Sequence, residues 1–355
     1  MQFFDAYAKQ HQLEPLDSYI TADKYSLDRF NVGVSAWKYT DGKQYGLPLD
    51  WAAPAFFYNK DMVEKAGLTD KDIQTMTWNP KDGGTFDKIA ARLTTDVNGK
   101  HADEAGFDKD HVAVYGSGLL GSSDFLGQTT WGSFISTTGW RLGNKDSWPT
   151  AFQYDKPIFA QTMEYMRGLS DRGIAPKFGE FTIGGTEQLG SGKVALLEDG
   201  SWTASTALQL PGLKIGVAPT VLGPDGTTRA SLSNSNGNEI WAGSKNKEAA
   251  WKWISYMGTE GCQTKAALVS GSFFPSIPGA MKTFAASQKS KGVDLSVFEN
   301  AAQKKEIYPA SPYANGSDIG TTLTPMFESY MLHETNGEVF PKLYTAAKNV
   351  IAGKN

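Results

Sequence analysis

Three glycines after a strand-like run have the spacing of a nucleotide-binding turn. Gly116, Gly118 and Gly121 fit GxGxxG directly after the run 112–115, and such a turn lets a pyrophosphate approach the backbone at the start of a helix. In that fold the helix begins immediately after the third glycine, whereas the segment 122–124 is typical of a cap on a helix that starts later. No strand ending in a ribose-binding acid follows about 20 residues on. We therefore expect no nucleotide cofactor.

Two further loops match phosphate and calcium sites only in part. The run 190–193 reads Gly-Ser-Gly-Lys, but Glu187 stands where a phosphate-binding loop has its first glycine, and Val194 follows the lysine. The run 96–100 begins like a calcium loop, yet no glutamate follows at the position that would bind the ion with both oxygens. Both runs are typical of ordinary turns, and the sequence predicts neither a cofactor nor a metal site.

Side chains for covalent catalysis are present, but not in a recognisable arrangement. The four histidines form no HExxH motif, no GxSxG nucleophile elbow occurs, and Cys262 has no neighbouring base in the sequence. Paired carboxylates remain available as the acid and base of a glycosidase, because 38 Asp and Glu residues always leave some suitable pair. A carbohydrate-active hydrolase is therefore an alternative that the sequence leaves open.

Length and composition favour two lobes. At 355 residues the chain exceeds the size at which one hydrophobic core stops growing. Its 10 Trp, 14 Tyr and 38 Gly suit a cleft lined with aromatic faces, or equally a richly packed core. A net charge of −4 gives no electrostatic reason to bind nucleic acid, and no apolar run reaches the ~18 residues of a membrane span. The single cysteine excludes an intrachain disulfide and says nothing about the compartment.

The elements that must position a site alternate between strands and helices. The apolar run 56–58 is of strand type, and Asn59 is placed to cap a helix that ends at Gly67. Thr85 is placed to cap a second helix. Between residues 110 and 220, short β-rich runs alternate with segments of helix length. This alternation predicts an α/β fold.

Two later segments add a helix and a candidate hinge. In 247–257, Trp253 and Ile254 belong to a stripe of apolar residues at helical spacing, which predicts a buried face. The run 222–238 is loop-like and ends in a cluster of Gly, Asn and Ser. We expect a hinge there.

Four groups of residues follow one another in a characteristic order. They are Gly46-Leu47-Pro48 with Tyr58-Asn59-Lys60-Asp61, the helix start Thr85-Phe86-Asp87-Lys88-Ile89, the stretch from Gly192 to Asp199-Gly200-Ser201-Trp202, and the stretch from Ser244 to Trp251. Together they resemble the family 1 extracellular solute-binding proteins of ABC carbohydrate importers, which include the maltose-binding proteins. The resemblance covers nearly the whole chain, and the combination is far more specific than any single motif. Lys88 departs from the pattern, because the family usually has an acid there.

This resemblance implies an α/β, two-lobed fold of the type II periplasmic-binding-protein kind, with hinge crossings. Residues 1–49 plus 239–308 would form lobe one, and residues 50–238 plus 309–355 would form lobe two. Family members begin with a signal sequence, often with a lipid-modified cysteine, and then the first strands of lobe one. Because none of these is recognisable here, we expect the chain to start inside lobe one. The implied location is extracytoplasmic, in a periplasm or tethered to the cell surface as a lipoprotein.

The resemblance also implies that the protein, as a monomer and without catalysis, binds a sugar or oligosaccharide between its lobes and delivers it to ABC transporter permease subunits. Such a ligand needs aromatic faces against its C–H patches, and paired donors and acceptors for its hydroxyls. The residues expected to line the cleft are Asp50, Trp51, Gln128, Trp131, Trp202, Asn234, Asn236, Asn238 and Tyr313.

Each of these residues also has an ordinary structural role to weigh. Trp202 is the preferred stacking platform, with a core role as its alternative, and Trp131 is nearly as typical of a core. The pair Asp50 and Trp51 is also typical of a loop, and the asparagines around Gly237 are also typical of a turn. For the whole protein, the hydrolase and a cytoplasmic sugar-sensing or scaffold protein are the alternatives. The hydrolase predicts that reducing ends are released from an oligosaccharide, whereas a binding protein predicts that none are.

Overall fold

The computed structural model describes residues 3–119 and 123–354, and within them it has nine strands, fifteen α-helices and three short 3₁₀ helices. Gly121 and Ser122, which entered the argument about a nucleotide turn, lie outside these residues. The strands are β1 (Gly46–Pro48), β2 (Pro54–Asn59), β3 (Thr95–Asp96), β4 (Val112–Gly118), β5 (Val194–Gly200), β6 (Ile215–Ala218), β7 (Ser231–Ser233), β8 (Gly237–Glu239) and β9 (Ile307–Pro309). The helices are α1 (Phe4–Lys9), α2 (Asp17–Ala22), α3 (Lys60–Lys65), α4 (Asp70–Gln74), α5 (Gly84–Leu93), α6 (Gly132–Ser136), α7 (Pro157–Asp171), α8 (Gly185–Gly190), α9 (Ala204–Ala207), α10 (Lys247–Met257), α11 (Glu260–Ser270), α12 (Pro278–Ser290), α13 (Ser296–Gln303), α14 (Gly316–Met331) and α15 (Val339–Ile351).

A mixed five-stranded sheet is the rigid centre of the molecule. Its strand order is β3-β4-β5-β2-β6, with β4 and β5 parallel and the other neighbours antiparallel. Every residue of β2 and β5 is buried. Strands covered on both faces have near-continuous apolar runs, which is the pattern that Phe56-Phe57-Tyr58 shows in the sequence.

The two faces of this sheet belong to different cores because successive side chains of a strand point to opposite sides. Phe56 lies in the larger core, with residues of α5, α6, α7, α14 and α15. Phe57 lies in a second core with Phe274, Phe284 and Phe298. This second core includes residues that the predicted boundaries assign to lobe one, and the boundaries themselves stay a prediction.

Two smaller cores contain residues from the first 50 of the chain. One contains Leu16, Leu47 and Trp251, and the other is an aromatic group around Phe4 and Trp37. Two short sheets connect this region with the central sheet: β1 pairs antiparallel with β8, and β7 pairs parallel with β9. The chain therefore passes between two packed regions through short, extended segments.

Several local predictions are confirmed and three are wrong. Asn59 caps α3, because its side chain accepts from the Met62 N–H at 3.1 Å. Thr85 does not cap α5: the cap position is Gly83, with φ of +75° in the left-handed region, and the Thr85 hydroxyl instead accepts from the Thr77 N–H at 2.8 Å. Trp253 is 61% exposed and does not belong to a buried stripe, and the run 222–238 is not one loop but contains β7 and β8.

Within the described residues, the longest helix has 16 residues and no helix is long and apolar enough to cross a bilayer.

Candidate ligand-binding site

Three chain segments, which the predicted lobe boundaries place at the crossings, hydrogen-bond to one another. We call residues 48–53 the first crossing, residues 233–238 the second and residues 307–312 the third. The connecting backbone bonds run from Leu49 N–H to Asn236 O at 2.8 Å, from Ala52 N–H to Asn234 O at 3.0 Å and from Ala310 N–H to Ser233 O at 2.7 Å. The second crossing therefore lies between the other two and fixes the polar side chains on all three.

Asp50 is held by a fork of two donors from the second crossing. Its Oδ1 accepts from the Asn236 N–H at 2.8 Å, and its Oδ2 accepts from the Asn236 side-chain amide at 2.9 Å. The Asp50 backbone carbonyl accepts from the Ser235 hydroxyl at 2.7 Å. A carboxylate has about four acceptor positions, and donors from the described part of the chain occupy two of those of Asp50, a group that is only half-buried. Asp50 is thus a preorganised acceptor for hydroxyl groups.

A second polar pair joins the second crossing to the segment before α6. The Asn234 side-chain amide donates to Gln128 Oε1 at 3.1 Å, and the Gln128 amide donates to the Leu232 carbonyl at 3.3 Å. Asn238 follows at the same two-residue spacing, and it pairs with Leu47 in the β1–β8 ladder. Asn234 forms a bridge with Ala52 and Asn238 belongs to β8, and the two residues between Asn234 and Gly237 lie outside the named strands. A common face for the amides of Asn234, Asn236 and Asn238 stays a prediction.

Trp202 lies where β5 ends beside the first crossing. The Ser201 N–H donates to the Ala53 carbonyl at 2.9 Å, which fixes the turn that follows β5. The six-membered ring of Trp202 lies so close over Gly200 that a Cβ at that glycine would collide with it. The indole is 42% exposed. The Gly-Ser-Trp turn therefore supports an indole on a glycine and leaves much of the ring open to solvent.

The other three aromatic candidates contact protein on their ring faces in this conformation. Trp51 is 4% exposed, packs edge-on against Phe274 and donates through Nε1 to the Pro275 carbonyl at 3.0 Å. Trp131 is 1% exposed and stacks on Phe327. Tyr313 is 7% exposed. A direct ligand contact for these three residues stays a prediction.

Buried carboxyl groups next to the site were not singled out from the sequence. Glu198 is fully buried, and its Oε2 accepts from the Ser133 hydroxyl at 2.8 Å. Its Oε1 has no hydrogen-bond partner among the described residues, and burial raises the pKa of this carboxyl well above the usual value. Burial also raises the pKa of Asp199 to about 6 and that of Glu239 to about 7. Two consecutive acids inside the apolar run of β5 were the available signal, because carboxyl groups are rarely buried without a specific role.

The motifs set aside on sequence grounds have structural explanations. Gly116 and Gly118 are residues of β4, and a Cβ on Gly116 would collide with the Ala90 carbonyl of α5. The first glycine therefore allows a helix to pack closely on the strand. Asp96 accepts hydrogen bonds from the backbone N–H groups of Asn98, Lys100 and Asp108, as in a self-contained turn. The described residues contain no group of three or more His, Cys, Asp or Glu placed to hold a metal ion.

Comparison with known proteins gives both a family and a fold. The sequence model for the family described as bacterial extracellular solute-binding protein matches residues 2–293. A binding protein of Brucella abortus is 27% identical over 257 residues, which are 71% of this chain and 55% of that protein. The maltodextrin-binding protein MdxE of Bacillus subtilis is 27% identical over 222 residues, which are 62% of this chain and 47% of that protein. The matches thus span about half the length of these curated relatives.

Solved structures are similar over almost the whole chain. UspC of Mycobacterium tuberculosis has a TM-score of 0.77 and 22% identity, covering 98% of this chain and 84% of that one. An ABC substrate-binding protein of Listeria monocytogenes, determined in complex with cycloalternan, has a TM-score of 0.75 and 20% identity, covering 99% and 83%. The sugar-binding protein MalE of Xanthomonas citri has a TM-score of 0.73 and 18% identity, covering 99% and 82%. These similarities confirm the predicted α/β, two-lobed fold with hinge crossings.

Proposed function

We propose that this chain, which belongs to the family of bacterial extracellular solute-binding proteins, captures a carbohydrate between its lobes and delivers it unchanged to the permease subunits of an ABC importer. The observation that carries the proposal is the exposed indole of Trp202, mounted on Gly200 beside crossings whose amide and carboxylate groups keep free hydrogen-bonding positions. Relatives with the same fold were determined with cycloalternan and with mannotriose, and a curated relative binds maltodextrin.

The groups of the site make different kinds of contact with a polyhydroxylated ring. The open face of Trp202 packs against the C–H patch of a sugar, which removes apolar surface from water. Asp50 accepts from two hydroxyls, and the amides of Gln128, Asn234, Asn236 and Asn238 donate to others and accept from them. Each satisfied hydroxyl matters because one buried without a partner costs about 1–3 kcal/mol.

In this proposal the buried aromatic candidates support the site and do not contact the ligand. Trp51 and Trp131 hold the walls of the site through their indole N–H bonds to backbone carbonyls, at 3.0 Å to Pro275 and 3.1 Å to Asp124. Tyr313 is packed between Phe125 and Phe152. A ligand that touches both lobes favours the closed form through its differential contacts. The permease would recognise that closed form, and the protein would act outside the cytoplasm as a monomer, free in a periplasm or tethered as a lipoprotein.

Calorimetric titration with neutral saccharides tests the binding step. The panel comprises maltotriose, mannotriose and cycloalternan, and the variant is Trp202→Ala. For the saccharide that binds best, we expect the variant to raise the Kd at least about tenfold, which corresponds to about 1.4 kcal/mol. Trp253→Ala is the matched control, because it removes another exposed indole, on α10. Equal affinity of the two variants would remove Trp202 from the site.

Turnover is tested on the same panel. Each saccharide is incubated for hours with the protein, and reducing ends and product sizes are measured. We expect the saccharide to be recovered intact, since binding and release make no covalent bond. Release of shorter products by the purified protein, abolished by carboxylate substitutions, would replace this proposal with the hydrolase alternative.

A further inference from the structure

A partly open, largely apolar pocket lies beside the third crossing, and its lining includes Tyr313 but neither Trp202 nor Asp50. Its volume is about 340 Å³. Its walls include Leu126, Leu142, Pro149, Phe152 and Leu232. The volume falls within the range of about 300–1,000 Å³ typical of small-molecule sites and exceeds the about 150 Å³ of an apolar cavity that accepts benzene. The pocket therefore has room for a body of one or two fused rings.

One cation in this pocket is fixed in place. The Arg141 guanidinium lies over the Tyr308 ring, with 4.2 Å between its central carbon and the ring centroid. Its Nη1 donates to the carbonyls of Ser136 at 3.0 Å and of Trp140 at 2.8 Å. The Tyr308 hydroxyl is in turn hydrogen-bonded to the Ser136 hydroxyl at 2.6 Å. Among the described residues, Nε and Nη2 of Arg141 have no acceptor, so two donors of a rigid fork are left at the pocket wall.

The loop that carries Arg141 is also internally braced. The Gln153 side-chain amide donates to the carbonyls of Arg141 and Gly143, both at 3.1 Å. Asn144 donates from its backbone N–H to Ala151 at 3.1 Å, which closes the loop as a hairpin. A ligand would therefore meet a preformed wall, which lowers the ordering cost of binding.

Positively charged side chains outnumber negatively charged ones around the pocket. Its lining contains Arg141 and Lys145 against the single carboxylate of Asp146. A neighbouring groove of about 890 Å³, which shares Tyr308 and the next two residues with the pocket, adds Lys38 and Lys305 and no acid. This local excess of cations contrasts with the net charge of −4 of the whole chain. Such a concave, cation-lined surface raises the local concentration of anions.

From this combination we infer that the pocket is a second binding site, for a compact aromatic carboxylate. The apolar walls take the rings, and the free edge of Arg141 binds the carboxylate oxygens in the bidentate geometry that a guanidinium offers. A sugar acid would leave its hydroxyls unpaired against Leu126, Phe152 and Leu232, so it fits less well. The pocket adjoins the proposed saccharide site, because Tyr313 lines the pocket and Asn234 lines the neighbouring groove. The inference does not require that a saccharide binds.

Isothermal titration with a matched pair of ligands tests it. Naphthalene-2-carboxylate and naphthalene-2-carboxamide have the same ring body and differ in charge. We expect the carboxylate to bind at least tenfold more tightly, to outcompete glucuronate, and to keep its affinity in Trp202→Ala. Equal binding of the carboxylate and the carboxamide, or no binding of the carboxylate at millimolar concentration, would overturn the inference.

A variant of Arg141 provides a second test of the inference. Arg141→Gln should weaken the carboxylate at least tenfold and leave the carboxamide within about twofold. Arg167→Gln is the matched control, because Arg167 also stacks on a tyrosine, 4.1 Å from the Tyr330 centroid, and bonds to two backbone carbonyls outside this pocket. An unchanged carboxylate affinity in folded Arg141→Gln contradicts the inference, and if this variant does not fold, the comparison of the two ligands decides.

Discussion

The contact between Gly200 and Trp202 gives the most direct test of how the site is built. Gly200 has φ of −82° and ψ of 158°, an extended conformation that alanine adopts without strain. The three heavy atoms nearest to a Cβ there all belong to the Trp202 ring. Gly200→Ala should therefore push the indole off its support and leave the backbone as it is.

The expected effects on stability and on binding have opposite signs. Replacing a glycine by alanine at a compatible position stabilises by about 0.4–1 kcal/mol through the unfolded chain, so the free energy of unfolding should hold or rise. Saccharide affinity should fall at least about tenfold, or about 1.4 kcal/mol, close to the about 0.5–1.5 kcal/mol that well-placed aromatic contacts contribute beyond their buried area. Urea unfolding measures the first effect and calorimetric titration the second.

Gly168→Ala is the control for this experiment. Gly168 lies inside α7, and a Cβ there would meet nothing within 4 Å. It should gain about 0.5–1 kcal/mol of stability, as a glycine in the middle of a helix is expected to, without a change in affinity. If Gly200→Ala binds saccharide as well as Gly168→Ala does, the exposed face of Trp202 is not a ligand platform.

Three further predictions concern the polar groups around the crossings. Asp50→Asn turns one acceptor into a donor facing Asn236; we expect calorimetry to show at least tenfold weaker saccharide binding, and urea unfolding to show a loss of about 1.5–3 kcal/mol for the charged hydrogen bond. Ser133→Ala leaves the buried Glu198 without its hydrogen bond and should lower the free energy of unfolding by about 1–3 kcal/mol, whereas unchanged stability would mean that water reaches this carboxyl. Because burial raises the pKa of Glu239 from 4.5 to about 7, the folded state keeps its proton where the unfolded chain loses it, so stability falls as pH rises through that window. Glu239→Gln should remove up to about 3 kcal/mol of this loss of stability, at about 1.36 kcal/mol per pKa unit. The measurement is denaturant unfolding of the variant and of the parent protein at pH 5 and at pH 8. If the variant loses as much stability between these two pH values as the parent protein does, the reasoning is contradicted.

Patterns in the sequence correctly predicted the helix and strand features that depend on contacts within a few residues. The spacing in 247–257 gave the bounds of α10, and Asn59 caps α3 as its position before Asp61 indicates. The strand character of Phe56-Phe57-Tyr58 also follows from residue type alone. In each case the interactions that decide the structure are made within a few residues.

Long-range packing decided the features that the sequence did not reveal. Trp251 rather than Trp253 faces the core, because its indole stacks on Tyr19 and donates to Asp23 at 2.7 Å, more than 200 residues earlier in the chain. The same holds in the site, where the partner of Asp50 is 186 residues away. Trp202 and Trp51 both belong to segments with turn or crossing character, yet only the packing of Phe274 and Pro275 determines that Trp51 is buried.

The distribution of short and long strand pairings in the fold indicates where the proposed closure would bend the molecule. The central sheet is buried on both faces, whereas β1–β8 and β7–β9 are two-stranded and pair over only three residues each. Isolated two-stranded ribbons are marginally stable, so motion between the lobes concentrates at the crossings. Shifting a two-state equilibrium from 1:99 to 99:1 requires about 5.5 kcal/mol of differential binding. One indole contact of about 1.5 kcal/mol and four hydrogen bonds of about 1 kcal/mol each reach that value, provided that they form only when the lobes meet. Because Asp50, Trp202 and Asn234 all belong to predicted lobe two, part of these contacts must come from lobe one for the ligand to favour the closed form. No catalytic group has to take part under the proposed mechanism.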